Sequence, residues 1–287
     1  MTLSNLVFGE LPLVFFTVIT QAAVGLSVVY ALSIWMKKSH EDGTHKQFGI
    51  LFIILILSGA IASLFHLGDP LNAPYMLTRI MGMSAGGTWI ISWLPLEILG
   101  VGLMVVLGII IVLKDSLSAL YVLPIVGVLT LFAMSGIYGS MANTVPTWSF
   151  GHTFLLFCSS AVVLGGLLYR AVFVSDVKGV KISAFISLLG LVFFALSLTL
   201  YTLYIGQVRL DGIANVFELM HGYYGCFVGG GLLLVGLGLC LNTFNDRLNH
   251  CFTCKANAMI ALTMSLLGIL LTRIAFYGLI TTHPFLG

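Results

Sequence analysis

Eight apolar runs, each long enough to cross a lipid bilayer as a helix, dominate this 287-residue sequence. A hydrocarbon core of about 30 Å takes roughly 20 apolar residues of helix to cross. Charged residues make up only 8% of the chain, against roughly 25% in soluble domains, so no water-soluble fold could hide this surface. The sequence predicts an all-α integral membrane protein with one transmembrane domain over residues 1–287. The predicted spans are residues 12–36, 47–67, 89–113, 119–141, 150–174, 181–206, 218–241 and 255–280.

The basic residues are divided unequally between two sets of connections. The loops after spans 1, 3, 5 and 7 carry nine of the twelve Lys and Arg, whereas the opposite loops carry only Arg79 and Arg209. Short loops rich in Lys and Arg stay in the cytoplasm, so we expect both termini to be periplasmic. The net charge of +2 is too small to indicate a nucleic-acid partner. The nine residues are Lys37, Lys38, Lys46, Lys114, Arg170, Lys178, Lys181, Arg247 and Lys255.

The loops expected outside are longer and more apolar than the cytoplasmic ones. Residues 68–88, 142–149 and 207–217 are rich in Gly, Pro, Met and aromatic side chains. An exposed apolar surface of this kind is typical of a partner interface. Turns that lie on lipid headgroups are the alternative, and the sequence leaves both open.

A few ionisable residues lie inside the predicted spans or at their edges. Such groups are costly in a membrane, which makes each a candidate for function, although a capped or interfacial histidine is the structural alternative. All of them fall in the outer half, where a histidine or carboxylate can accept a proton from a quinol hydroxyl. Glu218 and His221, three positions apart, are expected to share one helix face. The full set is His66, Glu97, His152, Glu218, His221 and Arg273.

Other kinds of membrane chemistry have less support. Haem ligation needs histidines on facing helices at matching depth, and no predicted span has a histidine near its midpoint, so we expect no haem. Cys251 and Cys254 supply too few ligands for a zinc or iron–sulfur site, so we expect a reduced thiol pair and no metal in this chain. A secondary transporter or channel stays an alternative, although the inner halves of the spans are almost uncharged.

Glycine clusters occur inside two of the predicted spans, at Gly165-Gly166 and at Gly229-Gly230-Gly231. Small residues let transmembrane helices approach closely. We therefore expect these positions to serve helix packing.

Four stretches of the chain are shared with a known family. They are residues 12–18 followed by Gln21 and Gly25, residues 63–70, residues 78–79 and residues 143–148. Together they resemble the membrane anchor subunit of dimethyl sulfoxide reductase. The most specific parts are His66-Leu67-Gly68-Asp69-Pro70 and Thr144-Val145-Pro146-Thr147-Trp148.

The resemblance implies an eight-helix, haem-free anchor in the bacterial inner membrane that binds menaquinol. Quinol would be oxidised near the outer face, and its electrons would pass to a four-cluster iron–sulfur subunit. That subunit and a molybdopterin catalytic subunit would dock on the periplasmic face, with membrane lipid around the bundle. This chain would therefore contain the quinol-binding site, whereas the terminal reduction would take place in the catalytic subunit.

The same resemblance suggests particular site residues. The family's quinol-site histidine falls on His66, and the acidic residue at the start of its third helix falls on Trp89, so Glu97 is the nearest acid. Asp69 and Arg79 are further candidates for pocket hydrogen bonds or for docking, as is Arg209. An anchor for a reductase of polysulfide, tetrathionate, selenate or nitrite stays open, since the anchor does not touch the terminal acceptor.

Overall fold

The computed structural model describes residues 3–37, 44–65, 73–83, 89–174, 176–209, 215–249 and 255–279. Within these ranges, eight helices are long and apolar enough to cross a membrane, which confirms the predicted multi-pass helical architecture. In chain order the helices are α1 (Leu3–Lys37), α2 (Thr44–Leu64), the short α3 (Ala73–Met76), α4 (Trp93–Lys114), α5 (Leu117–Ser140), α6 (Phe150–Phe173), α7 (Val177–Gln207), α8 (Tyr224–Asn249) and α9 (Lys255–Gly278).

The connection between α2 and α4 contains short structured elements. Helix α3 runs into a 3-10 turn at Leu77–Arg79, and strand β1 (Met81–Met83) then pairs antiparallel with strand β2 (Trp89–Ile91). The prediction that the third span begins at residue 89 is therefore wrong, because residues 89–91 form β2. A short apolar run does not by itself distinguish a strand from a helix.

The seventh span also begins later than predicted. Residues Val216–Met220 form a 3-10 turn, and His221 ends it with a φ of 48°, in the left-handed region. Because α8 begins only at Tyr224, the prediction that Glu218 and His221 share a face of a transmembrane helix is wrong. Both side chains are exposed.

Alternating helix directions give the bundle two different ends. At one end, Thr147 Oγ1 donates a hydrogen bond to the backbone oxygen of Leu279 at 3.1 Å. At the other, the Tyr30 hydroxyl and His45 Nδ1 are hydrogen-bonded at 2.9 Å. We call the first the long-loop end and the second the short-loop end. Helices α2 and α4, α5 and α6, and α7 and α8 meet in sequence at the long-loop end, whereas α1 and α2, α4 and α5, α6 and α7, and α8 and α9 do so at the short-loop end.

Helices α1 and α6 form the centre of the bundle. The most apolar stretch of α1 is 78% buried and that of α6 is 72% buried, whereas the corresponding stretches of the other six spanning helices are between 22% and 44% buried. Helix α1 packs against α2, α5, α6 and α9, and α6 packs also against α5, α7 and α9. The outer helices present Leu, Ile, Val and Phe side chains at the surface, as expected for helices that face lipid.

The close approach of α1 and α6 depends on two glycines that face each other. A Cβ atom added to Gly25 would overlap the carbonyl oxygen of Ala161, and one added to Gly165 would overlap the backbone of Gly25. The predicted packing role of Gly165 is therefore confirmed. In the other cluster, Gly231 packs against α9, whereas a Cβ on Gly229 or Gly230 would meet open space, so the prediction holds for only one of those three glycines.

Gly25→Ala is expected to destabilise the bundle, because the added methyl group would overlap a backbone carbonyl of α6. Overpacking of this kind costs about 1–3 kcal/mol, which would lower the melting temperature of the detergent-purified complex. Gly102→Ala is the matched control, since its Cβ meets no atom within 4 Å and Ala is the better helix former. Equal melting temperatures for the two variants would contradict the packing assignment.

Candidate functional site

Arg273 of α9 is a charged side chain buried inside the bundle, with 2% of its surface exposed. Its Nη2 atom donates to Gln21 Oε1 at 3.0 Å, to Ser160 Oγ at 3.1 Å and to the backbone oxygen of Leu156 at 3.3 Å. The guanidinium carbon also lies 4.3 Å from the centroid of the Phe157 ring. A charge is stable at membrane depth only where polar groups and aromatic faces replace water. This residue therefore ties α9 to α1 and α6.

The Arg273 contacts lie far from either surface. Ser160 is ten residues after the start of α6 at Phe150, which is about 15 Å along a helix that rises 1.5 Å per residue. Arg273 is five residues before the end of α9 at Gly278, and side chains on a helix lean toward its N-terminus, here toward the membrane centre. In a hydrocarbon core of about 30 Å, the guanidinium is near mid-depth.

A pair of tyrosines extends this cluster toward the long-loop end. The hydroxyls of Tyr138 on α5 and Tyr277 on α9 are hydrogen-bonded to each other, and both side chains are buried. The Tyr138 hydroxyl interacts electrostatically with Arg273 and with Glu97, and the Tyr277 hydroxyl interacts with the Thr17 side chain. Polar groups thus reach from mid-depth to one end of the bundle. We call this set the polar column, and its members are Gln21, Ser160, Arg273, Tyr138 and Tyr277.

Aromatic rings surround the tyrosine pair. The Trp148 ring meets Tyr138 edge-on, with 5.0 Å between centroids, and stacks on Phe276 at 5.8 Å. Phe276 in turn contacts the ring of Tyr201 at 5.7 Å. Rings at this position exclude water from the polar groups, and a low local dielectric strengthens the electrostatic interactions among them.

Several buried polar atoms around the column have no hydrogen-bond partner within the described ranges. Three of them are N–H donors, namely Gln21 Nε2, Trp148 Nε1 and Arg273 Nε, and the Tyr201 and Thr153 hydroxyls are unpaired as well. An unsatisfied buried polar atom costs about 1–3 kcal/mol, and such groups are usually satisfied by a bound molecule or water. The excess of N–H donors favours a ligand that offers acceptor oxygens.

Two of the seven predicted site residues come together at this place. Arg273 is the centre of the polar column, and Glu97 lies near the start of α4 with 5% of its surface exposed. Tyr138 is on α5, the helix on which α4 packs, and its hydroxyl lies within electrostatic range of both side chains. An acid and a base from distant parts of the sequence therefore share one region of the bundle.

The other five predicted site residues are not part of the column as described. Glu218 and His221 are exposed in the turn before α8. Arg79 ends the 3-10 turn after α3, and its side chain is not described. His66 and Asp69 lie outside the described residues.

Two further sequence candidates are at the long-loop end. The His152 ring stacks on Tyr204 with 4.5 Å between centroids, and its Nδ1 atom is hydrogen-bonded to Ser149 Oγ at 3.0 Å. Arg209 is exposed and donates from Nη1 to the backbone oxygen of Gly206 at 3.1 Å. Both therefore have local partners and lie apart from Arg273.

Buried ionisable groups also occur at the short-loop end, where none was predicted from the sequence. His45 is 4% exposed and is hydrogen-bonded to Tyr30, whose ring stacks on Phe48 at 4.2 Å. Arg170 was counted with the basic loop residues, although the predicted span 150–174 contains it, and it is buried in the last turn of α6. The polar column, and not the number of buried ionisable residues, therefore distinguishes the two ends of the bundle.

Metal ligands do not cluster in the described part of the chain. No group of three or more His, Cys, Asp or Glu side chains there could hold a metal ion. Cys251 and Cys254 lie outside the described residues, so the expected thiol pair stays a prediction. The expected absence of haem stays a prediction too.

The chain is similar to known anchor proteins over nearly its whole length. A family profile described as "DMSO reductase anchor subunit (DmsC)" matches residues 5–279. Two relatives are from Escherichia coli K12. The chain is 30% identical over 281 residues to the YnfH subunit, and 27% identical over 277 residues to the C subunit, of anaerobic dimethyl sulfoxide reductase. Each of these two matches covers 94% of this chain and 94% of the relative.

A third relative matches over a shorter region. It is the C subunit of anaerobic dimethyl sulfoxide reductase from Haemophilus influenzae, which is 33% identical over 165 residues, or 55% of this chain and 56% of the relative. No solved structure gives a significant match. The family profile covers all eight spanning helices. The chain belongs to the dimethyl sulfoxide reductase anchor subunit family.

Proposed function

We propose that this chain binds menaquinol at the polar column, oxidises it, and passes the electrons to an iron–sulfur partner subunit. The observation that carries the proposal is the set of unpaired N–H donors on Gln21, Trp148 and Arg273, buried among aromatic rings. A quinone head group presents two acceptor oxygens on an apolar ring, and pockets for such ligands are mostly apolar with a few convergent polar groups. Membership of the anchor family supports the same assignment.

The column contains groups suited to each part of quinol oxidation, which releases two protons and two electrons per quinone formed. The positive charge of Arg273 would stabilise the negative charge that develops on a quinol oxygen as its proton leaves. Beside the column, the Glu97 carboxylate can accept a proton. The hydrogen-bonded hydroxyls of Tyr138 and Tyr277 can relay a proton toward the long-loop end, each releasing its own proton as it takes up another. The electrons leave to the partner subunit, so this chain needs no redox group of its own.

The connection between α2 and α4 completes the proposed site. In sequence, His66, Asp69 and Arg79 all lie between α2 and α4, and His66 and Asp69 are outside the described residues. The resemblance to the family assigns the quinol histidine to His66. Glu218 and His221, exposed near the same end, would lie at the rim of the site.

In this proposal the long-loop end faces the periplasm of a bacterial inner membrane. Basic residues are concentrated at the short-loop end, which the positive-inside rule assigns to the cytoplasm. A four-cluster iron–sulfur subunit and a molybdopterin catalytic subunit would then dock on the long-loop end. Large apolar side chains are exposed there, including Tyr75, Met81 and Tyr223, as a docking surface requires.

The terminal acceptor is proposed to be dimethyl sulfoxide or a related compound, because the relatives are named as parts of dimethyl sulfoxide reductases. The described part of this chain has no feature that selects the acceptor, since the anchor would touch only quinol and its partner subunits. Identification of the subunits that co-purify with the chain would distinguish this complex from an anchor of another reductase.

His66→Arg is expected to abolish quinol-dependent reductase activity, because it removes a proton acceptor and adds a fixed positive charge at the proposed site. Activity with an artificial electron donor and assembly of the complex should be unchanged. His40→Arg, at a position between α1 and α2 in the sequence, is the matched control and should keep both activities. Full quinol activity in His66→Arg would count against the site.

Gln21→Leu is expected to raise KM for a menaquinol analogue about five- to tenfold, the loss of one hydrogen bond of about 1–1.4 kcal/mol. Thr20→Val is the matched control, because Thr20 is equally buried on α1 but lies against Gly59 of α2. Steady-state kinetics of the reconstituted complex would measure both. A Gln21→Leu complex with lower melting temperature and unchanged KM would show that the column is only structural.

A further inference from the structure

A small cavity lies between α7 and α8, apart from the polar column. Its volume is about 50 Å³, and its lining comes from these two helices alone. Helix α7 packs most extensively on α6, and α8 on α9, so the seam between α7 and α8 is loosely filled. Leu188, in the lining, is 55% exposed, so the cavity lies beside the lipid-facing surface.

Two buried polar side chains line this cavity without a partner. Asn242 is fully buried, yet neither its Nδ2 nor its Oδ1 atom is hydrogen-bonded to any described residue. The Ser187 side chain is 1% exposed, and its hydroxyl also has no hydrogen-bond partner among the described residues. Burial of an unpaired amide in an apolar environment is costly, so a molecule that offers both a hydrogen-bond acceptor and apolar chains would be stabilised here.

The cavity is at the depth where hydrocarbon meets lipid headgroups on the short-loop side. Just beyond Asn242 the sequence of α8 becomes polar, with Asn245, Asp246 and Arg247 within five residues. On α7, Ser187 is twenty residues from Gln207 at the long-loop end, which is about 30 Å of helix and so about one hydrocarbon thickness. The acyl ester carbonyls of phospholipids lie at this boundary.

Positive charge lies just beyond the cavity on the same side. Lys181 is exposed and is seven residues before Leu188, so the two share one face of α7. Lys178 is exposed one turn nearer the helix start. Basic side chains at this level attract anionic lipid headgroups, whereas the residues that line the cavity are all uncharged.

We propose that the cavity binds an anionic phospholipid from the leaflet at the short-loop end. The Asn242 amide donates to an ester carbonyl, and Lys181 faces the phosphate. A cavity of this size holds roughly three to five water-sized groups at about 10–15 Å³ each, which suits an ester group and not the fused rings of a naphthoquinone. The site does not depend on the proposed quinol oxidation.

Native mass spectrometry of the purified complex, titrated with phosphatidylglycerol, would test this proposal. Asn242→Leu is expected to weaken retention of the lipid about five- to tenfold, as for one lost hydrogen bond. Lys181→Gln should remove the preference for phosphatidylglycerol over phosphatidylcholine. Thr263→Val, a lipid-exposed hydroxyl on α9 that bonds only within its own helix, is the matched control and should retain lipid as the wild type does.

Equal retention in Asn242→Leu and the control would overturn the proposal, as would competition from a menaquinone analogue that depends on Asn242. Because the leucine removes an unpaired amide, the delipidated variant should melt no lower than the wild type. If the Asn242→Leu complex fails to assemble, the Lys181→Gln variant alone tests the proposal, because Lys181 is exposed. An unchanged headgroup preference in that variant would refute the site.

Discussion

The burial of one positive charge constrains the rest of this bundle. A guanidinium near the middle of a membrane is stable only if protein groups replace its hydration, and Arg273 finds these groups on α1 and α6, at Gln21 Oε1, Ser160 Oγ and the backbone of Leu156. Three helices must therefore converge at one depth. Gln21 accepts from Arg273 through its oxygen, which leaves its own amide N–H unpaired beside the charge. The interaction that stabilises the fold thus also positions two of the three donors of the candidate site, Gln21 Nε2 and Arg273 Nε.

Helix packing and site geometry are coupled through the same pair of helices. Gly25 is four residues, or about one turn, from Gln21 on α1, and it meets Ala161, the neighbour of Ser160, on α6. The backbone contact at Gly25 therefore sets the separation between two of the groups that bind Arg273. Farther toward the long-loop end, the Tyr138–Tyr277 pair and the Trp148–Phe276 stack continue the contact between helices. The resulting set of polar groups leads from mid-depth to the long-loop end.

Hydropathy alone predicted the eight spans and their order, because each span must cover the same thickness of hydrocarbon. It failed where apolar residues do something else, as in β2 and in the turn before α8, and where a charged residue is buried, as Arg170 is in α6. Arg273 and Glu97 were predictable because charged residues inside apolar spans are rare. Ser160, Tyr138 and Tyr277 were not predictable in this way, because neutral polar residues are common in spans, and Gln21 stood out only in the resemblance to the family. A contact between residues 21 and 273 also cannot be derived from the periodicity of either helix.

Photoaffinity labelling with an azido-menaquinone analogue tests most directly whether quinol binds at the polar column. The complete complex would be reconstituted in lipid vesicles, labelled, digested and mapped by mass spectrometry. The expected result is label on peptides of α1, α5, α6 and α9 that contain Gln21, Tyr138, Trp148 or Arg273, reduced by excess unlabelled menaquinol. Label confined to the short-loop end or to the seam between α7 and α8 would contradict the assignment.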